Sequence, residues 1–363
     1  MTWTLYPASQ FPAFAGRWQQ LNAEGAKSPL VEPDFVAPLL TQFGDGKELL
    51  AVYEQGGSAQ AMTIVVERAP RMWETFQPSQ APVCLWVQRA GTGAALERSA
   101  LLSSLMRSLP GCPMVLGATQ LDPELAPRPG DAGALRTMDY IQTARITIAG
   151  SFDDYWNARG KNLRANLKKQ RNKLAKDEVE TRMQIVRAPE DMAQAVADYG
   201  RLESAGWKAQ GGTAIHPDNA QGRFYQAMLE GFCRRGAGSV YRYWFNEQLV
   251  AMDFCIEGDD CIVVLKTTYD ESIPNSLSPT LLMREEATRQ IFDEARFARL
   301  EFYGKVMDWH TKWTDEIRTM YHATCYRWPA LLGLKQLKQH TTNLIGQLRA
   351  HMRPKPELSR PPE

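Results

Sequence analysis

Apolar positions change period several times along this chain, and the second half shows the clearest succession. Val179–Arg187 has the β-branched content and partial alternation of a strand. Pro189-Glu190-Asp191 then opens a helix, with proline early and acids in the first turn where the dipole favours them. That helix is expected to run to about Glu203. A loop with Gly206, Gly211, Gly212 and Pro217 leads to a second helix, from about Asn219 to Arg235. Three strands follow, Ser239–Phe245, Leu249–Ile256 and Cys261–Thr268, with Glu257-Gly258-Asp259-Asp260 as a hairpin turn before the last. After the loop Asp270–Ser278 a helix is expected from Pro279 to near Arg296. A strand at Arg299–Tyr303 ends at Gly304, and His322–Trp328 reads as a last strand.

The same order recurs in the first half. Trp3–Tyr6 reads as a strand, Phe11–Leu21 and Pro33–Phe43 as helices, and Glu48–Tyr53, Ala59–Glu67 and Val83–Val87 as strands. A helix near Ala94–Leu109 leads into a strand near Met114–Ala118, and Ile141–Ala149 closes the half. Identity between the halves is slight, with Trp18 and Trp207 in comparable places, so the repeat is one of order. Leu121–Gly133 is a long loop, and the boundary between units is expected at Gly150-Ser151. This gives units at 1–150 and 151–330, then a helix from Leu331 and a mobile Pro-rich tail within 331–363.

Composition narrows the class. A chain of 363 residues exceeds what one core usually organises, and 44% hydrophobic with 23% charged residues excludes disorder. The net charge of +1 means that any polyanion must be held by a local patch. No signal peptide is expected at Met1–Pro7, and no apolar run reaches membrane-spanning length. The six cysteines form no C-x-x-C pair and no zinc spacing. They read as reduced thiols of a cytoplasmic protein without a metal, though Cys255 and Cys261 flank a turn and could face each other.

Four segments are candidates for chemistry. The loop Asn275–Leu282 places Ser278 and Pro279 at the start of a helix, followed by Thr280 and Leu281, whose backbone would point at an anionic ligand. It reads equally as a plain capped helix. The run Lys161–Lys176 holds Lys161, Arg164, Lys168, Lys169, Arg171, Lys173 and Lys176 and no acid, with an apolar stripe of Leu163, Leu167 and Leu174. It is either a solvated face or a phosphate clamp. Around the strand Arg299–Tyr303, Asp308 and His310 are candidate bases. On the meander, Asp253 and Lys266 are either an ion pair or cleft residues.

Leu163-Arg164-Ala165-Asn166-Leu167-Lys168-Lys169 resembles a helix of the CelD-like acetyltransferases, a Fem-related group of the GNAT superfamily. Glu203-x-x-Gly206-Trp207-Lys208 with Gly212-Thr213-Ala214, and Tyr269-Asp270 followed by Ser278-Pro279-x-x-Leu282, are similar to the same group. The resemblance covers about residues 150–328. It departs at Thr280, where relatives tend to carry glycine. Gln88-Arg89-Ala90-Gly91-Thr92-Gly93-Ala94 in the first half resembles the GNAT acyl-CoA signature (Q/R)-x-x-G-x-(G/A), or is a plain strand–helix turn.

The resemblance implies an α/β fold with a mixed sheet, built as two tandem GNAT-like acyl-CoA N-acyltransferase units in the Fem-like arrangement. It implies acyl transfer from acetyl-CoA or another acyl-CoA, without metal, to an amine or hydroxyl. The acceptor would be a sugar or a cell-envelope, polysaccharide or peptidoglycan-type precursor. Direct attack on a thioester needs a base or water relay and donors to the developing oxyanion. Asp253, Asp308, His310 and Lys312 are the candidates for that catalysis, Lys312 by its resemblance to a lysine that relatives carry. Gln88, Gly91, Gly93, Ser278, Thr280 and Leu281 are the candidates for the donor. Glu203, Trp207, Lys208, Lys266, Tyr269 and Arg164 are those for the acceptor. Two alternatives stay open: a Fem-type transferase drawing on aminoacyl-tRNA, and a non-catalytic GNAT-like module docking a polyanion.

Overall fold

The computed structural model describes residues 2–90, 97–204 and 215–331. The first half runs β1 (Thr2–Pro7), α1 (Phe11–Glu24), α2 (Pro33–Phe43), β2 (Leu49–Gln55), β3 (Ser58–Ala69), β4 (Met72–Thr75) and β5 (Trp86–Gln88). It continues through α3 (Arg98–Ser108), β6 (Val115–Leu121) and β7 (Leu135–Thr147). Two helices, α4 (Phe152–Asn157) and α5 (Lys161–Lys176), bridge to the second half. There follow β8 (Thr181–Val186), α6 (Met192–Ser204), α7 (Ala220–Arg234), β9 (Gly238–Phe245), β10 (Gln248–Glu257) and β11 (Cys261–Tyr269). The last elements are α8 (Pro279–Glu294), β12 (Arg299–Phe302), α9 (His310–Trp313) and β13 (Ile317–Tyr326).

Both expected meanders and both helical crossovers are present, so the fold is a mixed α/β sheet with the anticipated element order. The details that differ have local causes. The strand expected at Val83–Val87 is reduced to the short β5, and β4 replaces it as the partner of β6. β13 begins five residues earlier than the apolar pattern suggested, because its first turns face the polar seam described below and so do not alternate cleanly.

A single sheet runs through both halves in the order β1-β2-β3-β4-β6-β13-β7-β12-β11-β10-β9-β8, with β5 on β3. The closing strands are exchanged. β13, from the end of the second half, lies between β6 and β7, while β7, from the first half, pairs with β12. The unit limits expected at 150 and 330 therefore do not coincide with edges of the sheet.

Helices cover both faces. On one face α1, α2, α6 and α7 share one apolar cluster in which Phe35 and Phe43 meet Phe224 edge-on. Trp18 is completely buried there and donates its indole N–H to the Val31 carbonyl at 2.6 Å. Gly222 permits the chain at His216 to cross α7, since a Cβ there would run into the His216 carbonyl. On the other face α3 covers the first half, and α4, α5 and α8 cover the second. Leu163, Leu167 and Leu174 of α5 are buried as their stripe implied, which leaves most of its lysines exposed.

The seam between halves carries a buried polar network. Arg318 of β13 sits 2.8 Å from both Asp122 and Glu301, and Tyr303 donates its hydroxyl to Asp122 at 2.9 Å. The exchange of closing strands brings these groups together from three separate stretches of chain. The cysteines among the described residues are all free, and Cys255 and Cys261 belong to different apolar clusters. No described helix is long and apolar enough to cross a membrane, and no described residues form a cluster that could hold a metal.

Candidate active site

β11 and β12 pair in parallel over only four positions, Cys261 with Arg299 through Val264 with Phe302. β11 then continues to Tyr269 while the chain beyond β12 turns away, so the sheet splays. A cavity of about 640 Å³ lies at this C-terminal end of β11, and α8 starts there. Its wall includes Thr267 and Tyr269, the loop residues Asp270, Glu271 and Ile273, and Ser278, Thr280 and Leu281 of the helix start. Arg284 and Trp309 complete it.

Arg284 is 3% exposed and Asp253 1%, with Arg284 Nη2 at 2.6 Å from Asp253 Oδ2. Thr267 Oγ1 donates to Asp253 Oδ1 at 2.6 Å, and Arg284 Nη2 reaches Thr267 Oγ1 at 3.3 Å. Burial raises the Asp253 pKa, and Arg284 opposes that rise. The Asp253–Lys266 pair weighed from the sequence does not form. Thr267 stands across from Asp253 and Lys266 across from Phe254, so the two charges lie on opposite faces of the sheet. Lys266 is directed instead toward the Tyr225 ring, 5.8 Å away.

Ser278 occupies the N-cap position of α8, but its side chain makes no capping bond. Its backbone N–H donates to Gln170 Oε1 of α5 at 2.7 Å. α5 is thereby locked onto α8, a contact reinforced by Arg171, which pairs with Glu285 at 2.7 Å and Glu286 at 2.9 Å.

Of the residues proposed from sequence, Ser278, Thr280, Leu281 and Tyr269 line this cavity, and Asp253 supports its floor through Arg284 and Thr267. Lys312 is exposed and lines a neighbouring cavity of about 540 Å³ with Arg159, Asn162, Asn166 and Asp315; Leu281 belongs to both. Arg164 lies on α5, bonding back to the Arg159 carbonyl. Asp308 is exposed.

His310 is buried, and its Nδ1 accepts the Met307 N–H at 2.9 Å. Burial pushes its pKa down to about 4, with Arg284 adding to the fall. The ring is therefore neutral at pH 7 with one nitrogen engaged, and it stacks on Trp309 at 3.5 Å. It is Trp309, not His310, that faces the cavity.

Glu203 is buried at the end of α6 and accepts the Ile215 N–H at 2.8 Å, away from the cavity. Gln88 lies in the first half beside a separate cavity. Gly91, Gly93, Trp207 and Lys208 fall outside the described residues.

Sequence reasoning did not single out Arg284, Thr267, Gln170 or Trp309. A signal for Arg284 existed: it occupies the apolar stripe of α8 with Ala287 and Ile291, where an exposed arginine would not be placed.

Residues 161–311 match a family model described as an acetyltransferase (GNAT) domain. The chain carries a GNAT acetyltransferase domain and is an acyltransferase. Its fold is the Fem-like one. FemX superposes with a TM-score of 0.54 at 9% identity, over 93% of this chain and 99% of FemX. The C-terminal domain of a protein described as a lysylphosphatidylglycerol synthetase from Agrobacterium fabrum gives 0.52 at 13% identity, over 86% and 92% of the two chains. A conserved protein of unknown function from Bacteroides thetaiotaomicron gives 0.55 at 10% identity, over 86% and 97%. At such identities the likeness is one of fold. No curated protein matches the sequence. The GNAT fold implies an acyl-CoA co-substrate for this acyltransferase, and the matched segment spans α5 through the start of α9, the elements that build the 640 Å³ cavity.

Proposed function

We propose that this acyltransferase moves an acetyl or other acyl group from acyl-CoA, bound at the start of α8, to an amine or hydroxyl of a sugar or cell-envelope precursor. The observation that carries the site is the cavity at the splay of β11 from β12, floored by Arg284 and opening at Ser278, Thr280 and Leu281. A helix N-terminus favours the charge of a pyrophosphate, and the buried guanidinium is placed to favour the charge that develops on a thioester oxygen. In this reading Asp253 is a positioning residue: with Thr267 it fixes the guanidinium before reaction, so no reorganisation is needed. Arg159 and Lys312, beside Leu281 in the adjoining cavity, supply cations for the outer phosphates of the donor. Acceptor specificity is assigned to the mouth at Tyr269, Asp270 and Glu271, and the acceptor class rests on the resemblance to the CelD-like group.

Binding of acetyl-CoA tests the reading directly, because a ligand of the folded state raises the melting temperature by mass action. The wild-type chain is expected to show a dose-dependent rise, which Thr280→Trp should reduce by obstructing the mouth. Absence of any rise with millimolar acetyl-CoA and with a longer acyl-CoA would remove the proposal.

One observation favours a second reading. α5, whose first turns line the 540 Å³ cavity, exposes Lys161, Lys168, Lys169 and Lys176 along its length, a surface suited to a tRNA-borne donor, and the fold is shared with FemX. Affinity for aminoacyl-tRNA that falls steeply with salt, without any response to acyl-CoA, would move the assignment there.

A further inference from the structure

The first half contains a cavity of about 490 Å³ placed against its own helix crossover, as the acyl site is placed in the second half. Its wall includes Gln88–Ala90 at the end of β5, Arg98 at the start of α3, Gly25 at the end of α1 and the loop 125–129 after β6. Gly25 lets the end of α1 pack closely on the Gln88 backbone, since a Cβ there would run into the Gln88 carbonyl.

Arg98 is the unusual group in this wall. Its Nε–H donates to Gln88 Oε1 at 3.3 Å, and its guanidinium carbon lies 5.5 Å from the centre of the Trp86 ring. Trp86 donates its indole N–H to the same Gln88 oxygen at 2.9 Å, which fixes both groups. All these partners are neutral. The anionisable neighbours felt by Arg98 are Cys84 and Tyr321, and burial raises the pKa of each, Tyr321 to about 12, so neither carries charge at pH 7.

The other arginines of the wall are matched, Arg89 with Glu24 at 2.7 Å and Arg128 with Asp139. Glu97 is exposed at the rim, and no ion pair joins a described carboxylate to Arg98. The contrast with the second half is direct, where the crossover-helix arginine, Arg284, has Asp253.

Among the described residues Arg98 is half-buried and without a counter-charge, and only its Nε is bonded, so its remaining N–H donors are open to an anion entering the cavity. The cavity is of a size that holds small ligands, and a guanidinium grips carboxylates and phosphates alike through two parallel N–H donors. We propose that this first-half cavity is a second ligand site, in which Arg98 binds the oxyanion, carboxylate or phosphate, of a small molecule. The inference does not depend on the acyl-donor reading of the second half.

Arginine footprinting with phenylglyoxal on the full chain, in chloride buffer, tests it without a substitution. Pyrophosphate or citrate is expected to protect Arg98 at least fivefold, with the exposed arginines of α6 and α7 as internal reference. Pyrophosphate alone would identify a phosphate ligand, and citrate alone a carboxylate. Isothermal titration with the effective anion should weaken at least tenfold in Arg98→Gln and less in Arg98→Lys. Modification of Arg98 at the same rate with and without both anions would overturn the proposal. So would equal affinity of the wild type and Arg98→Gln for the anion.

Discussion

Arg284 Nη2 lies 2.6 Å from Asp253 Oδ2 in a site where neither side chain is more than 4% exposed. Each charge is the other's main compensation, so removing one partner leaves the other buried alone. Arg284→Met or Asp253→Leu should each cost about 3–5 kcal/mol of stability. The double substitution should recover much of that loss, giving a coupling of roughly 2 kcal/mol or more in a denaturant cycle. The recovered protein is expected to fold yet transfer acyl groups poorly, since Arg284 floors the cavity. Additive losses in the cycle would show that the pair is not the unit described.

His310 gives the protein a pH dependence of defined sign. Its folded pKa of about 4 lies below the ordinary 6.5, so between these values the unfolded chain binds a proton that the folded chain does not. Stability should therefore be fully present above about pH 6.5 and fall as pH drops toward 4, by about 3 kcal/mol. His310→Asn retains an acceptor for the Met307 N–H and cannot take up a proton. Urea midpoints of this variant should change less over the same interval; an unaltered profile would assign the fall to other groups.

Arg318 stands between Asp122 and Glu301 at the seam of the halves. Arg318→Leu leaves two buried carboxylates facing each other, with an expected loss of about 3–5 kcal/mol at pH 8. Without Arg318, those carboxylates keep only Arg299 beside Glu301 and the Tyr303 hydroxyl on Asp122, and they take up protons more readily when folded than unfolded. The deficit should therefore shrink as pH falls toward 5, and a deficit that grows instead would contradict the arrangement.

The exchanged strands predict how the molecule melts. β7 and β13 each pair with strands of both halves, and one apolar cluster spans α1, α2, α6 and α7. Scanning calorimetry should give one transition with calorimetric and van't Hoff enthalpies in agreement. Two well-separated transitions would mean that the halves unfold as independent units.

Much of this was legible along the chain. Helix and strand periods, the proline starts of α2 and α8 and the leucine stripe of α5 are local signals. They determined most of the element order in both halves, and with it the α/β class, and they marked the start of α8 at Ser278, Thr280 and Leu281 as a candidate ligand loop. The basic face of α5 was visible for the same reason, since residues at helical spacing must share a face. The tertiary structure decided the rest. Which strand closes each half depends on pairing between β6 and β13, far apart in sequence, and alternation along a strand does not say which neighbour it meets. Asp253 takes Arg284 rather than Lys266 because the register puts the nearer lysine on the other face. His310 and Trp309 are adjacent in sequence, yet the turn into α9 buries one and aims the other into the cavity. Arg98, with no ionised carboxylate beside it, could be recognised only once its surroundings were assembled.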